Sequence, residues 1–296
     1  MVSINLIKEL RARTSVSMND CKRALEAANS DMDAAIDLLK TWGDLKGKEK
    51  ESKIAAEGKI VIFSNNSSSV VGICELNSQT DFTANSEEFA KLSHLLCDKM
   101  NGFDLVEFEV ARKELVAKTG ENIVLRRREV WTHGPDNVYR CWYEHPGNKI
   151  ATIVEFAFSS AHAHANYVQL KSDFADNIAM QITAMSPLVV SKNDLSEDLI
   201  ARQKKIFETQ LIEEKKPQAA WPKIIEGKFS KWHKDVCLLE QESVVSPGKS
   251  IGELLNDLNK QIDGVMSVSR FCRYEVGEGI ERPVEDFGDE VKKLIQ

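Results

Sequence analysis

The chain has 296 residues, 42% of them hydrophobic, with 15 glycines and 7 prolines, a balance that supports a packed core and excludes large-scale disorder. That length accommodates a core with one or two small appended modules, since single domains usually run to ~100–200 residues. The formal charge of −7, from 46 acidic against 39 basic residues, repels a phosphate backbone and disfavours direct nucleic-acid binding.

The opening Met1-Val2-Ser3-Ile4-Asn5 lacks the charged stretch and apolar run of a signal peptide, and no later stretch is apolar for long enough to cross a bilayer. A cytoplasmic protein without membrane contact is expected. Residues 1–43 carry apolar positions at helical spacing: Leu6, Ile7 and Leu10, then Met18, Cys21 and Leu25, then Met32, Ala35, Ile36 and Leu39. Ser17 with Asp20, and Ser30 with Asp33, predict the starts of the second and third helices, because a hydroxyl accepts free amides and an acid suits a helix N-terminus. Residues 44–57 form a charged linker, with Lys46, Lys48, Glu49, Lys50 and Glu51 and little to bury.

From residue 58 the period changes to two. Ile60, Ile62 and Val70 to Leu76 flank Asn65-Asn66-Ser67-Ser68, which predicts an antiparallel hairpin, followed by a helix bearing Phe89, Leu92 and Leu96. Thr80-Asp81-Phe82 lies between the strand end at Leu76 and a helix start at Ser86, so Phe82 belongs to neither apolar stripe and is placed on a loop. Two readings stand for Phe82, a local plug or a rigid aromatic presented to a partner. Asp81 likewise either caps its own loop or touches the partner.

The same plan recurs in residues 136–280. Val138 to Tyr143 and Ile150 to Phe158 flank a turn at His145-Pro146-Gly147, and a helix with Phe174, Ile178 and Ile182 stops near Pro187. Inserted at about 193–234 is an antiparallel helical hairpin, with Leu199, Ile200, Ile206, Phe207 and Leu211 before Lys216-Pro217 and Trp221, Ile225, Phe229 and Trp232 after it. A strand over Ser269 to Val276 and a turn at Gly277-Glu278-Gly279 lead to a C-terminal helix over 281–296 with Val284, Phe287, Val291 and Leu294. The fold class is α+β: a three-helix module, core subdomains at 58–135 and 136–280 built on antiparallel strands, the helical hairpin and the last helix.

No catalytic constellation emerges. Pro247-Gly248-Lys249-Ser250 imitates the end of a phosphate loop, but Ser243 stands where the leading glycine belongs. His162 and His164 lack the spacing of a helical zinc pair, and no cofactor or metal is implied. The six cysteines are scattered without Cys-x-x-Cys and read as buried small hydrophobes in a reducing compartment.

Several stretches, in order, resemble the elongation factor Ts family: Ile7-Lys8-Glu9-Leu10-Arg11, Thr14, Met18, Asp20-Cys21-Lys22 and Ala24-Leu25; Gln79-Thr80-Asp81-Phe82; Gly120-Glu121-Asn122-Ile123; Arg126-Arg127; Tyr143, His145 and Gly147; and Tyr274-Glu275-Val276-Gly277-Glu278-Gly279-Ile280. The resemblance implies a ubiquitin-associated-like N-terminal module and a guanine-nucleotide exchange factor for the GTPase elongation factor Tu, met in its GDP-bound and nucleotide-free forms. It implies that Asp81 and Phe82, with Thr80, wedge beside the partner's magnesium and phosphate region. By the same resemblance Lys8, Arg11 and Met18 touch the GTPase domain, His145 touches the third domain, and the final helix also rests on the GTPase domain. Asn19 departs from the family, where a methionine commonly follows Met18. Two rivals remain: a scaffold whose N-terminal module recruits helical or ubiquitin-like partners, and a small phosphotransferase using Gly248-Lys249-Ser250.

Overall fold

The computed structural model describes residues 2–14, 18–39, 42, 53–65, 69–102, 104–132 and 137–281. The expected C-terminal helix, most of the charged linker and the Ser17 cap lie outside them.

Helices α1 (Ile4–Thr14), α2 (Met18–Ala27) and α3 (residues 32–39) enclose a small core of Ile7, Leu10, Cys21, Ala24, Leu25, Ala35 and Leu39. The expected cap at Ser30 is corrected. Asn29 and Ser30 adopt positive φ of 51° and 68°, and the Ser30 amide donates to Leu25 O at 2.7 Å, so Ser30 closes α2. An N-cap needs extended backbone, and the next residue supplies the cap: Asp31 Oδ1 accepts from the Ala34 amide at 2.9 Å.

The body contains two antiparallel sheets. In the first, β1 (Glu57–Ser64), β2 (Val71–Ser78) and β3 (Ile123–Trp131) lie in that order, with α4 (Asp81–Ala84), α5 (Glu87–Gly102) and α6 (Val106–Thr119) between β2 and β3 in sequence. In the second, β4 (Val138–Glu144), β5 (Ile150–Phe158) and β6 (Met266–Glu275) lie in that order. Between β5 and β6 run α7 (Ala161–Leu170), α8 (Phe174–Met185), α9 (Glu197–Glu213), α10 (Trp221–Val236) and α11 (Ile251–Gln261). The strands β3 and the helices α6, α7 and α11 extend the simpler hairpin-plus-helix plan read from sequence. The run Arg126-Arg127-Arg128-Glu129 hides β3, because long charged side chains replace the period-two apolar signal there.

Each sheet has one face under its own helices. Phe63, Cys74, Leu76 and Ile123 meet Phe89, Leu92, Leu96 and Phe108; Val154, Phe156 and Phe158 meet Ile178, Ile182 and Leu255. The opposite faces pack on each other through Ile60, Val71, Ile73 and Trp131 against Ala151 and Ile153. The central strand β2 is therefore buried at every position, as a strand covered on both faces must be.

Charged groups cross this joint. Glu75, fully buried on β2, accepts from Arg126 Nη1 at 2.9 Å, Arg127 Nε, and the Gly277 amide at 2.8 Å, while Arg127 lies 4.2 Å from the Tyr274 ring and also donates to Glu278. Glu155 on β5 is held by Arg140 and Arg270, and Arg140 donates onward to Ser69 O at 2.7 Å. The helical hairpin closes on Phe207 and Phe229, whose rings meet edge-on at 5.2 Å, with Lys228 donating to Gln210 at 2.8 Å.

Candidate functional site

After β2 the chain turns at Thr80, whose extended backbone (φ −119°, ψ 155°) makes it the N-cap of α4. Thr80 Oγ1 accepts from the Thr83 amide at 3.3 Å, and the Asn85 amide closes the turn onto Asp81 O at 2.9 Å. The expected loop is thus a single helical turn. Thr83 and Ala84 face inward and are buried, while Asp81 and Phe82 face outward. Ser86 caps the next helix as expected, accepting from the Phe89 amide at 3.2 Å.

Phe82 is 84% exposed, which removes the plug reading. The capping reading of Asp81 also fails, because Thr80 performs that task; among the described residues the Asp81 carboxylate has no hydrogen bond. One exposed aromatic is ordinary by itself, but this one stands on an anchored turn. Glu121 supplies the anchor: its carboxylate accepts from the Thr80 amide at 3.1 Å and from the Thr80 hydroxyl at 2.7 Å. Ser78 Oγ adds a third tie, donating to Thr80 O at 2.9 Å. Glu121 was read from sequence only as part of a matching stretch; its two bonds to Thr80 could not be anticipated from spacing.

The other candidate residues lie elsewhere. Lys8 and Arg11 are exposed on α1, Met18 and Asn19 are exposed at the start of α2, and all four belong to the three-helix unit with its separate core. His145 is exposed in the β4–β5 turn, its Nδ1 3.3 Å from Tyr143 Oη. The turn is shaped by Gly147 and Asn148 at positive φ of 90° and 56°.

Residues 79–278 match the family described as Elongation factor TS, a span that begins one residue before Thr80 and ends on Glu278 of the inter-sheet joint. Elongation factor Ts of Clostridium perfringens (strain 13 / Type A) is 33% identical, with 99% of each chain covered. That of Halothermothrix orenii is 34% identical over 99% of this chain and 98% of its own, and that of Nitratiruptor sp. is 36% identical over 98% of both. The chain belongs to the elongation factor Ts family. As a member of a family of translation elongation factors it takes its place in protein biosynthesis.

Within this elongation factor Ts chain the matching stretches divide by role. Gln79 to Phe82 presents a side chain outward, whereas Arg126-Arg127 and Tyr274 to Gly279 meet at Glu75 and hold the sheets together. The remaining motifs are engaged internally. Ser250 caps α11 in a reciprocal box with Glu253, and Gly248 N donates to Glu242 at 2.7 Å. Lys249 pairs with Asp257 at 2.8 Å, and hydrogen bonds from Lys249 and Lys260 lower Asp257 to about 2. The Gly248 and Ser250 amides, which a phosphate loop would turn toward its ligand, are thus engaged within the chain. A cavity of about 360 Å³ beside α8 and α11 includes this same pair in its wall. His164 stacks on Phe158 at 4.9 Å, and His162 Nε2 sits 3.2 Å from Asn166. Among the described residues no group of three or more His, Cys, Asp or Glu side chains could hold a metal ion, and no helix is long and apolar enough to cross a membrane. Cys21, Cys74, Cys141 and Cys237 are buried and Cys97 and Cys272 half-buried, none in a disulfide; burial pushes the Cys74 thiol up to about 12.

Proposed function

We propose that this elongation factor Ts chain is a guanine-nucleotide exchange factor without bond-making chemistry of its own, which promotes GDP release from elongation factor Tu by wedging Asp81-Phe82 beside the partner's magnesium and phosphate site. The observation that carries the reading is Phe82, 84% exposed on a turn whose other face is buried and whose cap is clamped. A wedge needs a rigid group that displaces its neighbours without first losing rotamer freedom, and an aromatic on a fixed turn meets that need. Burying such a ring is worth ~1.5–3 kcal/mol, available only when the partner's site opens to receive it.

Linkage sets the remaining logic. A factor that favours the empty GTPase must weaken nucleotide binding by the same factor by which nucleotide weakens its own binding. Each coupled element contributes ~1–3 kcal/mol, so more than one contact is needed for large acceleration. The three-helix unit supplies a second contact, with Lys8, Arg11 and Met18 on the GTPase domain; Asn19 offers an amide where an apolar side chain would bury more area. His145 supplies a third, on the partner's third domain. The domain organisation proposed with this is 1–43 for the helical module, 44–57 for its linker, 58–135 and 136–280 for the core, and 281–296 for a C-terminal module. The protein works in the cytoplasm without nucleic acid, and the magnesium belongs to the partner.

The test is release of labelled GDP from purified elongation factor Tu with native protein and with Phe82→Ala. Native protein accelerates release, and Phe82→Ala loses on the order of tenfold of that acceleration, the scale of one coupled element. No acceleration by native protein refutes the function; a fully active Phe82→Ala refutes the wedge alone.

A further inference from the structure

We propose that Glu121 is a positioning residue for exchange: it touches no partner atom, and it fixes the direction in which Phe82 projects. The inference rests on the wedge reading above and adds a residue which that reading does not contain.

A four-residue helix does not hold itself. One turn fixes several backbone dihedrals in return for very few hydrogen bonds, which is why isolated helical nuclei are unfavourable. Around α4 the backbone bonds are few: Ala84 N to Thr80 O at 3.3 Å, Asn85 N to Asp81 O at 2.9 Å and Ser86 N to Thr83 O at 3.0 Å. External restraint is therefore required: the buried Thr83 and Ala84 anchor one face, and Ser78 Oγ and Ser86 Oγ donate to Thr80 O at 2.9 Å and Thr83 O at 2.8 Å. Glu121, 41 residues further along the chain, is what holds the cap residue itself by both its amide and its hydroxyl.

Its two oxygens divide the work. Oε2 accepts the Thr80 amide at 3.1 Å, which holds the backbone at the point where the strand becomes a helix. Oε1 accepts the Thr80 hydroxyl proton at 2.7 Å, and this turns an oxygen lone pair toward the Thr83 amide at 3.3 Å. The cap and the clamp are thus one hydrogen-bonded chain, strengthened because its terminal acceptor is ionised. Glu121 reaches this place because α6 ends on Gly120 in the left-handed region (φ 75°), and the chain reverses there; Thr119 Oγ1 accepts from the Glu121 amide at 3.2 Å. Without the carboxylate the turn frays and the Phe82 ring must be ordered during insertion, which lowers the wedging step and leaves the other docking surfaces intact.

The experiment measures single-turnover GDP release from elongation factor Tu across a range of factor concentrations, for the native chain, Glu121→Gln, Glu121→Ala, Phe82→Ala and the Phe82→Ala/Glu121→Ala double variant. Glu121→Ala lowers the maximal release rate on the order of tenfold and shifts the half-saturating concentration by less than about twofold. Glu121→Gln keeps the shape and one acceptor, retains a native melting curve and loses less. In the Phe82→Ala background the Glu121 change costs under about twofold, because a residue that acts through Phe82 has nothing left to position. A maximal rate unchanged in both Glu121 variants overturns the proposal, as does a loss that multiplies fully with that of Phe82→Ala. Should Phe82→Ala release GDP at the native rate, the wedge reading itself falls and the positioning role with it.

Discussion

Replacing Glu75 by Gln removes the charge at the joint between the two sheets and keeps the side-chain shape. The carboxylate is fully buried and accepts from Arg126 Nη1 at 2.9 and 3.1 Å, Arg127 Nε, the Gly277 amide at 2.8 Å and Asn77 Nδ2 at 3.0 Å. Removing one partner of a buried ion pair usually costs ~3–5 kcal/mol, because the other charge stays buried and uncompensated. Here the two guanidinium side chains keep 28% exposure, so water re-solvates part of them and the cost falls to ~2–4 kcal/mol. In thermal unfolding near pH 7 that loss lowers Tm by roughly 3–7 °C for a chain of this length. Glu278→Gln is the internal comparison: it breaks the 2.9 Å pair with Arg127, but Glu278 is 47% exposed, so its loss stays below ~1 kcal/mol. Hydrogen exchange supplies the local readout, with faster exchange over residues 274–280 in Glu75→Gln. Stability of Glu75→Gln within about 0.5 kcal/mol of native, or no lower than that of Glu278→Gln, refutes the view that the buried carboxylate holds the joint.

Two further outcomes follow from the sheets. Gly72 faces Phe63 across β1 and β2, and a Cβ at position 72 would lie 2.0 Å from Phe63 Cζ, so Gly72→Ala costs ~1–3 kcal/mol in urea unfolding and Phe63→Leu in the same chain restores part of it; a neutral Gly72→Ala refutes the overpacking account. Burial works to raise the Glu155 carboxyl, but hydrogen bonds from Arg270 and Arg140 outweigh it and hold the group below its ordinary value of 4.5. A lowered carboxyl stabilises the fold fully above about pH 4.5 and loses that contribution as pH falls through the lower folded-state value. Unfolding curves between about pH 6 and 3 therefore fall less steeply for Glu155→Gln than for native protein, and equal slopes refute the assignment.

The exposed ring and the buried clasps illustrate one physical division. Phe82 protrudes because its neighbours Thr83 and Ala84 point inward and its cap is tied to Glu121, whereas Arg126 and Arg127 point along the sheet and are consumed by Glu75, Glu275 and Glu278. Polar side chains in matching stretches thus serve opposite ends. Some present a side chain outward, and others hold the frame that keeps it there.

Local order was legible in the amino-acid sequence itself. Helical spacing marked α1, α2 and α3, period two marked the β1–β2 and β4–β5 hairpins, and Phe82 fell outside both neighbouring stripes, which by itself left a local plug and an exposed ring both open. These signals survive because they depend on residues a few positions apart. What depends on distant residues was not legible. Nor was backbone conformation: Ser30 reads as a cap until its positive φ is seen to close α2, the cap passing to Asp31. β3 carries charge where a strand pattern should be, because its arginines extend to Glu75 and to the turn at Gly277. Tertiary structure alone decided that Thr80-Asp81-Phe82 is a helical turn and that Glu121 holds it, since a hydrogen bond spanning 41 residues leaves no trace in local spacing.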